Sequence, residues 1–376
     1  MIRPATLNDI DALVAIEESS FETDKLSRRS FRHILSKGKA TTLLEVDGET
    51  VRGYAMVLFN EGTSLARLYS IAVAPAFRSQ GVAKSLLQAA ESAALEHDCV
   101  AMRLEIRRDN ETAIRLYKHV GYKQFGAHKN YYEDHMEALR FEKHLVPHLN
   151  LERVKVPFYE QTLDFTCGPA ALMMAMSALN KNTAMNRMEE LRIWRESTTI
   201  FMTSGHGGCS PYGLALSAYQ RGFDVELFVN GPGVVLVDSV RDPEKKEVMR
   251  IVHEDFLHEL EKLPVAIHHH ALNVDELQTK FGEGGIPIVL ISSYRIYREK
   301  FPHWVVVTGF DDKYIYVHDS FVDYPLEKSP TDCINMPILK KDFQRMARYG
   351  KAGQKVALII RPRVNTGTGN PTANDV

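Results

Sequence analysis

Residues 68–90 read L-Y-S-I-A-V-A-P-A-F-R-S-Q-G-V-A-K-S-L-L-Q-A-A. The apolar run that ends at Pro75 predicts a buried strand, and the apolar spacing that begins at Leu86 predicts a helix. The loop between them contains Gly81, where the backbone can approach an anion closely. Because the first N–H groups of the helix point at the same place, the stretch suits a pyrophosphate. Taken alone, it also fits an ordinary strand-to-helix turn.

Length and composition narrow the class of protein. With 376 residues the chain is long enough for two domains. A formal net charge of −2 gives no basic surplus for nucleic acid. The N-terminus has no apolar signal core and no apolar run reaches about 18 residues, so we expect a cytoplasmic protein without membrane spans. The four cysteines form no C-x-x-C pair, which argues against a disulfide framework or a structural zinc site.

The elements around the opening stretch predict a mixed α/β unit over residues 1–145. Residues 41–59 read as two strands joined by a hairpin turn. Residues 100–107 alternate apolar and polar side chains, which predicts a half-buried strand whose polar face includes Glu105. Asn110 opens a helix that Gly121 closes. Beyond this unit we predict a linker at 146–152, a second unit at 153–362 and a disordered tail at 363–376.

Two spaced motifs give the first unit a family resemblance. The pattern R-x-x-G-x-G/A and the pattern N-x-x-A-x-x-L-Y-x-x-x-G-F/Y are carried by Arg78, Gly81, Ala83, Asn110, Ala113, Leu116, Tyr117, Gly121 and Tyr122. Residues 1 to about 145 therefore resemble the GNAT superfamily of N-acetyltransferases. The resemblance implies a GNAT fold with a mixed central sheet and acetyl-CoA as cofactor. It also implies a cofactor site formed by Ile71, Val73, Arg78, Ser79, Gln80, Gly81, Val82, Ala83 and Asn110.

Acetyl transfer needs a base for the amine and an acid for the departing thiolate. The run L-E-I-R-R-D-N…L-Y with Glu105 and Tyr117, followed by N-Y-Y at 130–132, resembles the branch that acetylates protein N-terminal α-amines, which includes ribosomal-protein-alanine acetyltransferases. The resemblance implies that Glu105 is the base, through water, that Tyr117 is the acid, and that Tyr131 and Tyr132 bind the acceptor. From the residues alone, Glu105 can also pair with a neighbouring arginine, Tyr117 can be a core residue, and a non-catalytic acetyl-CoA sensor stays open.

A second candidate site begins with Q-T-L-D-F-T-C-G-P-A-A at residues 161–171. Cys167 precedes a helix that opens with Gly-Pro, where the helix dipole favours thiolate over thiol. Gln161 can place its amide beside the sulfur and stabilise a tetrahedral oxyanion. A predicted hairpin brings His303 close to Asp319. His303 can then deprotonate Cys167, while Asp319 fixes the imidazole orientation.

This order, Q-x5-C-G-P-A followed by H-W and then D, resembles the papain-like bacteriocin-processing peptidases over about residues 153–362. The resemblance implies a papain-like fold with an antiparallel sheet and helices, and thiol-dependent cleavage of a peptide bond. Thr166 stands where many such peptidases have Asp, so their leader-peptide specificity is not carried over. Transglutaminase or amide-hydrolysing chemistry, and a peptide-binding module that recruits substrate to the acetyltransferase, remain alternatives.

The two sites together predict a bifunctional enzyme whose substrate is a peptide or protein N-terminus, with its oligomeric state left open. Cleavage creates a new N-terminus that the neighbouring unit could acetylate. Weaker features have structural interpretations: the Gly-rich loop at 204–209, the His268–His270 run with no metal expected, and the charge run at 241–250 as a solvated turn or helix edge. The other predicted elements of the second unit are helices at 168–179, about 253–263 and about 274–281, and strands at 223–229, 286–292, 304–309 and 314–318.

Overall fold

The computed structural model describes residues 1–37, 39–146, 151–199, 207–231 and 233–363. Most of the predicted linker, the predicted tail from residue 364 and positions 204–206 of the Gly-rich loop lie outside the described residues. In the described part of the chain, no helix is both long and apolar enough to cross a membrane.

The N-terminal unit is built on one mixed sheet. The elements are β1 (Ile2–Pro4), α1 (Ile10–Ser20), α2 (Arg28–Lys37), β2 (Ala40–Asp47), β3 (Thr50–Phe59), β4 (Leu65–Val73), α3 (Val82–Glu96), β5 (Ala101–Arg107), α4 (Glu111–His119), β6 (Lys123–His128) and β7 (Ala138–His144). Within the described residues the strand order is β1-β2-β3-β4-β5-β7-β6, and neighbours are antiparallel except for β4 and β5. Helices α1 and α2 pack on one face, and α3 and α4 pack on the other.

The two parallel strands in the middle of this sheet separate along their length. Strands β4 and β5 pair only where Leu65–Arg67 lies beside 101–103. Beyond that point β4 continues against β3, while β5 continues against β7. A register shift in the β3–β4 pairing leaves Tyr69 as an extra residue of β4, and such a bulge redirects neighbouring side chains. The separated strands open a gap that leads to the loop before α3.

In the C-terminal unit an apolar helix packs against a mainly antiparallel sheet. The elements are β8 (Glu152–Arg153), α5 (Cys167–Leu179), α6 (Arg187–Ser197), α7 (Pro211–Gln220), β9 (Phe223–Val229), α8 (Pro243–Glu261), β10 (Ala266–His268), α9 (Val274–Gly282), β11 (Ile286–Ser292), α10 (Tyr294–Tyr297), β12 (Pro302–Phe310), β13 (Tyr314–Asp319), α11 (Pro330–Cys333), β14 (Met336–Leu339), α12 (Lys340–Met346) and β15 (Val356–Pro362). In the described ranges the strand order is β10-β9-β15-β11-β12-β13-β14, and β8 also pairs with β12. Helix α5 is buried over most of its surface because its residues are almost all apolar.

Most predicted elements of this unit are confirmed, and one helix begins earlier than predicted. Strands β9 and β11 have the predicted bounds, and β12 and β13 form the predicted antiparallel hairpin. The helix expected at about 253 begins instead at Pro243 and includes most of the charge run. Asp242 caps it by accepting hydrogen bonds from the N–H groups of Glu244 and Lys245. The charge run is therefore the first half of a helix.

Candidate active sites

The loop before α3 presents free backbone groups toward the gap between β4 and β5. Gly81 precedes the helix with φ of +82°, a left-handed conformation that favours glycine. No side chain caps this helix start, and a Cβ at Gly81 would meet no atom within 4 Å. The first N–H groups of α3 therefore face open space with the positive end of the helix dipole behind them. These features fit the pyrophosphate of a CoA molecule.

The other residues predicted to bind the cofactor are placed along the same edge. Arg78 donates to the Val73 carbonyl at 3.3 Å, and Gln80 accepts from Arg52 at 2.8 Å. Asn110 caps α4 by accepting from the Ala113 N–H at 3.1 Å. Asn110 therefore has a structural partner in addition to its predicted place beside the cofactor. The exposed members of the predicted set are Arg78, Ser79, Gln80, Gly81 and Asn110, the half-buried members are Ile71, Val73 and Ala83, and Val82 is buried.

Tyr117, the predicted acid, is a buried residue of α4. Its ring lies in the same core cluster as side chains of β5 and α3 and contacts the Tyr122 ring edge-on at 5.6 Å. Burial raises the pKa of Tyr117 well above its ordinary value. Its hydroxyl makes no hydrogen bond to any residue that the structure describes. The group is thus protonated and unengaged, as an acid for a thiolate must be.

Glu105, the predicted base, lies on the opposite face of the sheet, where both of its oxygens are engaged. Oε2 accepts from Arg67 at 2.9 Å, and Oε1 accepts from the Ser329 hydroxyl at 2.7 Å. The Glu105 side chain is 5% exposed. Burial would raise the pKa of Glu105, but Arg67 and the hydroxyl groups of Thr331 and Ser329 outweigh burial and lower it. The carboxylate therefore stays charged at neutral pH.

The polar face of β5 is covered by the C-terminal unit. Arg103 is 1% exposed and donates to the carbonyls of Thr331 at 2.8 Å and Asn335 at 3.2 Å. Arg67 adds an ion pair with Asp332 at 3.1 Å and a hydrogen bond to the Tyr131 hydroxyl at 2.9 Å. The segment 327–335, from here called the covering segment, therefore closes the face on which Glu105 lies. The sequence motifs contain no signal for this contact.

The predicted Cys-His-Asp set is assembled in the C-terminal unit. His303 Nε2 donates to Asp319 Oδ1 at 2.6 Å, and Cys167 is near enough to raise the pKa of His303. Burial would lower the pKa of His303, but the charges of Asp319 and Cys167 raise it to about 10. The imidazole therefore holds its proton at neutral pH. A Cβ at Gly168 would lie 3.2 Å from Trp304, so this glycine lets α5 pack closely beside the strand that carries His303.

Gln161 is oriented by two hydrogen bonds. Its Oε1 accepts from the Ser320 hydroxyl at 2.8 Å, and its Nε2 donates to the Leu163 carbonyl at 2.9 Å. A primary amide carries two N–H groups, so the second one is left for an oxyanion. Thr166, which stands at the usual Asp position, is hydrogen-bonded to the buried Glu190 carboxylate. Glu190 also accepts from the Thr162 N–H at 2.8 Å and so anchors the loop that carries Gln161.

Tyr297 is a member of this site that the sequence did not single out. Its hydroxyl donates to Asp319 Oδ2 at 2.6 Å, while the Phe321 N–H donates to Asp319 Oδ1 at 2.9 Å. With the bond from His303, both oxygens of the Asp319 carboxylate are held in place. Tyr297 lies on a single helical turn with no periodic pattern, so only the contact itself identifies it.

Two family models match the chain, one over each of the two units described above. The first, "Acetyltransferase (GNAT) family", matches residues 8–122. The second, "Peptidase_C39 like family", matches residues 156–361, which is more than half of the chain. The chain belongs to the Peptidase_C39 like family. Its N-terminal part also belongs to the GNAT family, as the relatives below show, and we call the two units the GNAT domain and the peptidase-like domain.

Known proteins similar to the chain match the GNAT domain. An N-alpha-acetyltransferase from Sulfolobus acidocaldarius is 34% identical over 148 residues, 36% of this chain and 88% of the relative. A [ribosomal protein bS18]-alanine N-acetyltransferase from Haemophilus ducreyi is 42% identical over 67 residues, 18% of this chain and 46% of the relative. The crystal structure of the ribosomal-protein-S18-alanine N-acetyltransferase from Escherichia coli is 21% identical, covers 39% of this chain and 95% of that chain, and has a TM-score of 0.36. The chain is an N-acetyltransferase, and its cofactor is acetyl-CoA.

The His268–His270 run packs against an aromatic side chain. His268 stacks on Phe228 with ring centres 4.4 Å apart, and the strand ends at His268. Across the described residues, no group of three or more His, Cys, Asp or Glu side chains could hold a metal ion. All four cysteines are buried and free.

Proposed function

We propose that the GNAT domain acetylates the N-terminal α-amine of a peptide or protein, and that the peptidase-like domain hydrolyses a peptide bond through Cys167. The acetyl-transfer half is supported by the unengaged Tyr117 hydroxyl and by relatives named for α-amine acetylation. The hydrolytic half is carried by one observation, the 2.6 Å bond from His303 to Asp319, on an imidazole whose pKa Cys167 also raises.

In the GNAT domain the chain would bind acetyl-CoA along β4 and the start of α3. The neutral amine attacks the thioester carbon, and the bond from that carbon to sulfur breaks. Tyr117 gives its proton to the departing sulfur. The Tyr131 hydroxyl accepts a hydrogen bond from Arg67, and the Tyr132 ring contacts the Tyr131 ring edge-on. We propose that both tyrosines bind the acceptor on the face of the sheet that carries Glu105, here called the acceptor face. The resemblance implies Glu105 as the base, whereas the contacts to its two oxygens from Arg67 and Ser329 favour a structural role for this carboxylate.

In the peptidase-like domain the Cys167 sulfur attacks the peptide carbonyl. The oxyanion would be held by the free N–H of Gln161 and by the first backbone N–H groups of α5. His303, which is protonated at neutral pH, gives its proton to the leaving amine and then accepts one from the attacking water. We infer that the GNAT domain comprises residues 1–145 and the peptidase-like domain residues 153–362. We also infer that the protein acts in the cytoplasm, where its four thiols stay reduced.

The chemistry proposed for the two sites suggests a sequence of reactions. Hydrolysis at Cys167 releases a fragment with a new α-amine, which is the acceptor class proposed for the GNAT domain. Incubation of the full chain with a library of unblocked peptides and acetyl-CoA, followed by mass analysis, tests both halves. We expect fragments that are cleaved and carry an acetyl group at the new N-terminus.

Two variants separate the halves of the proposal. Cys167→Ala should abolish cleavage and leave acetylation of supplied peptides intact, whereas Tyr117→Phe should do the reverse. If Cys167→Ala cleaves at the rate of the unchanged enzyme, the hydrolytic proposal is wrong. If it binds peptides while the unchanged enzyme turns none over, the domain is a binding module. Fragments that are cleaved but never acetylated would contradict the coupling of the two reactions.

A further inference from the structure

A series of three hydrogen-bonded polar side chains, each buried or half-buried, crosses the GNAT domain on the sheet face opposite α3. Glu17 on α1 is 2% exposed, and Tyr54 on β3 is 0% exposed. The Tyr54 hydroxyl donates to Glu17 Oε2 and lies 2.7 Å from the Ser70 hydroxyl on β4. The other oxygen of Glu17 accepts from the Leu26 N–H at 2.8 Å. The three side chains come from three elements, and none of them belongs to the motifs of the domain.

The hydrogen-bonded series ends at Ser70, at the point where β4 changes direction. Ser70 follows the extra residue Tyr69 of the bulge and is half-buried. Its partner across the ladder is Met56, which belongs to the core cluster beneath α1 and α2, so Ser70 lies on that face. Glu105 lies on the same face because Leu104 and the next apolar residue of β5 point to the other. The hydroxyl of Ser70 is therefore beside the gap between the strands, on the acceptor face.

The hydrogen bonds of this series all point the same way, with each donor directed toward Glu17. Since Tyr54 donates its only proton to Glu17, the bond between Tyr54 and Ser70 must have Ser70 as donor. The Ser70 oxygen is then left with lone pairs that can accept a proton from a third group. Within the described residues Ser70 has no other hydrogen-bond partner. A proton that enters at Ser70 can thus pass along the chain to Glu17.

The electrostatic surroundings of Glu17 suit a base better than those of Glu105. Burial raises the pKa of Glu17, and the lowering by Tyr54, by the Leu26 N–H and by the nearby Lys25 does not cancel it. Besides Tyr54 and Lys25, Tyr69 on β4 lies near this group. The pKa of Glu105 is shifted in the opposite direction. A base with a raised pKa accepts a proton more readily near neutral pH.

We propose that Glu17 is the terminal base of the acetyl transfer and takes the acceptor proton through Ser70 and Tyr54. The amine nitrogen gives a proton to the Ser70 oxygen, Ser70 gives its own to Tyr54, and Tyr54 gives its own to Glu17. The nitrogen-to-carbon bond forms, the carbon-to-sulfur bond breaks, and Tyr117 protonates the sulfur. One proton has entered at Glu17 and one has left Tyr117, so solvent exchange restores both groups. The inference rests on the proposed amine acetylation but not on the identity of the amine.

The test compares Glu17→Gln with Glu18→Gln in the full chain. Glu18 is the next residue and is exposed, so it controls for loss of a negative charge on α1. Release of CoA is measured at saturating acetyl-CoA and saturating unblocked alanyl peptide between pH 5.5 and 9. We expect Glu17→Gln to lower kcat about 100-fold, the lower bound for loss of a general base, with little change in KM. Its remaining kcat should lack the fall toward acid pH that Glu18→Gln and the unchanged enzyme share.

Tyr54→Phe and Ser70→Ala test the path and guard against a purely structural role of Glu17. Each removes one hydroxyl, and each should lower kcat without adding to the effect of Glu17→Gln, because all three act in one chain. A lower Tm with unchanged kcat and an unchanged pH profile would overturn the proposal, since Glu17 would then only anchor the Leu26 loop.

The variant Glu105→Gln tests the proton path through Ser70, Tyr54 and Glu17, here called the relay, separately from the acetyl transfer. If the acid fall of kcat disappears in Glu105→Gln and persists in Glu17→Gln, Glu105 is the base and the relay is wrong. A blocked peptide with a free lysine side chain, compared with the unblocked peptide in the unchanged enzyme, tests the α-amine specificity. That comparison can fail without affecting the relay, because the relay acts on whichever amine is accepted.

Discussion

At the scale of single residues, the charge on His303 decides how the hydrolytic site should respond to pH. The folded pKa of about 10 lies above the ordinary 6.5, so the imidazolium is present through neutral pH and is lost as pH rises through about 10. We predict that kcat/KM for cleavage falls on the alkaline side near pH 10. In Asp319→Asn the main raising charge is gone while burial remains, so this alkaline fall should move to lower pH. A pH–rate profile of both enzymes measures the shift.

The control for this prediction is Asp312→Asn, which makes the same change at an exposed position of the β12–β13 turn. Its alkaline limb should coincide with that of the unchanged enzyme. An Asp319→Asn profile that keeps its limb near pH 10 would mean that Asp319 does not set the charge of His303.

The contact between His303 and Asp319 was predictable from the sequence because both residues lie in short motifs. Cys167 lies just before a Gly-Pro helix start, and His303 and Asp319 lie on the two strands of one hairpin. Tyr297 and Ser329 were not predictable, since each is defined by a contact with a residue far away in the chain. The same limit applies to Glu105. The motif predicts its position, but its charge depends on contacts with Arg67 and the covering segment, which the sequence does not reveal.

At the scale of elements, periodicity predicted strands better than it predicted α8. The strands of the peptidase-like domain are apolar runs bounded by turn residues, and several have the expected ends. The first half of α8 has a weaker apolar pattern, because Val248 and Ile251 are exposed there, five of its residues are charged, and Met249 and Val252 face the core. A capping Asp and a Pro in the first turn start this helix, and these signals are independent of periodicity.

The loop that precedes α3 has a testable conformation. Gly81→Ala places a Cβ in open space at φ of +82°, so it should destabilise the GNAT domain by about 1 kcal/mol through backbone strain alone. The same methyl group would project where the pyrophosphate is expected. We therefore predict a several-fold higher KM for acetyl-CoA with kcat little changed, measured by initial rates of CoA release.

Gly48→Ala is the matched control, because Gly48 also has a positive φ, +57°, and a Cβ added there would likewise meet no atom within 4 Å. It lies in the β2–β3 turn of the same domain. Both variants should lose similar stability in urea unfolding, and only Gly81→Ala should show the higher KM. Equal KM values in the two variants would contradict pyrophosphate binding at this loop.

At the scale of the whole molecule, the two domains share a buried polar interface. The alternation in β5 predicted a polar face, and the structure covers that face with the peptidase-like domain rather than with solvent. The partner could not be predicted because the covering segment is more than 200 positions away from β5. Buried ion pairs hold their partners strongly once formed, since breaking one leaves a charge without water. The face of the sheet that carries Glu105 is thus tied to the folding of the peptidase-like domain.

Two ion pairs across this interface allow a direct test of that dependence. Asp332 pairs with Arg67, with side chains 2% and 5% exposed, whereas Arg298 pairs with Glu61 at a position where the arginine is 63% exposed. Asp332→Ala should destabilise the chain by about 3 kcal/mol, because Arg67 stays buried without one of its carboxylates and Asn60 loses its acceptor. Arg298→Ala should change the stability much less, because the contribution of an exposed ion pair is small. In scanning calorimetry we expect Asp332→Ala to unfold in two separate transitions and Arg298→Ala in the same profile as the unchanged chain. Identical profiles for the two variants would mean that the buried pair does not couple the domains.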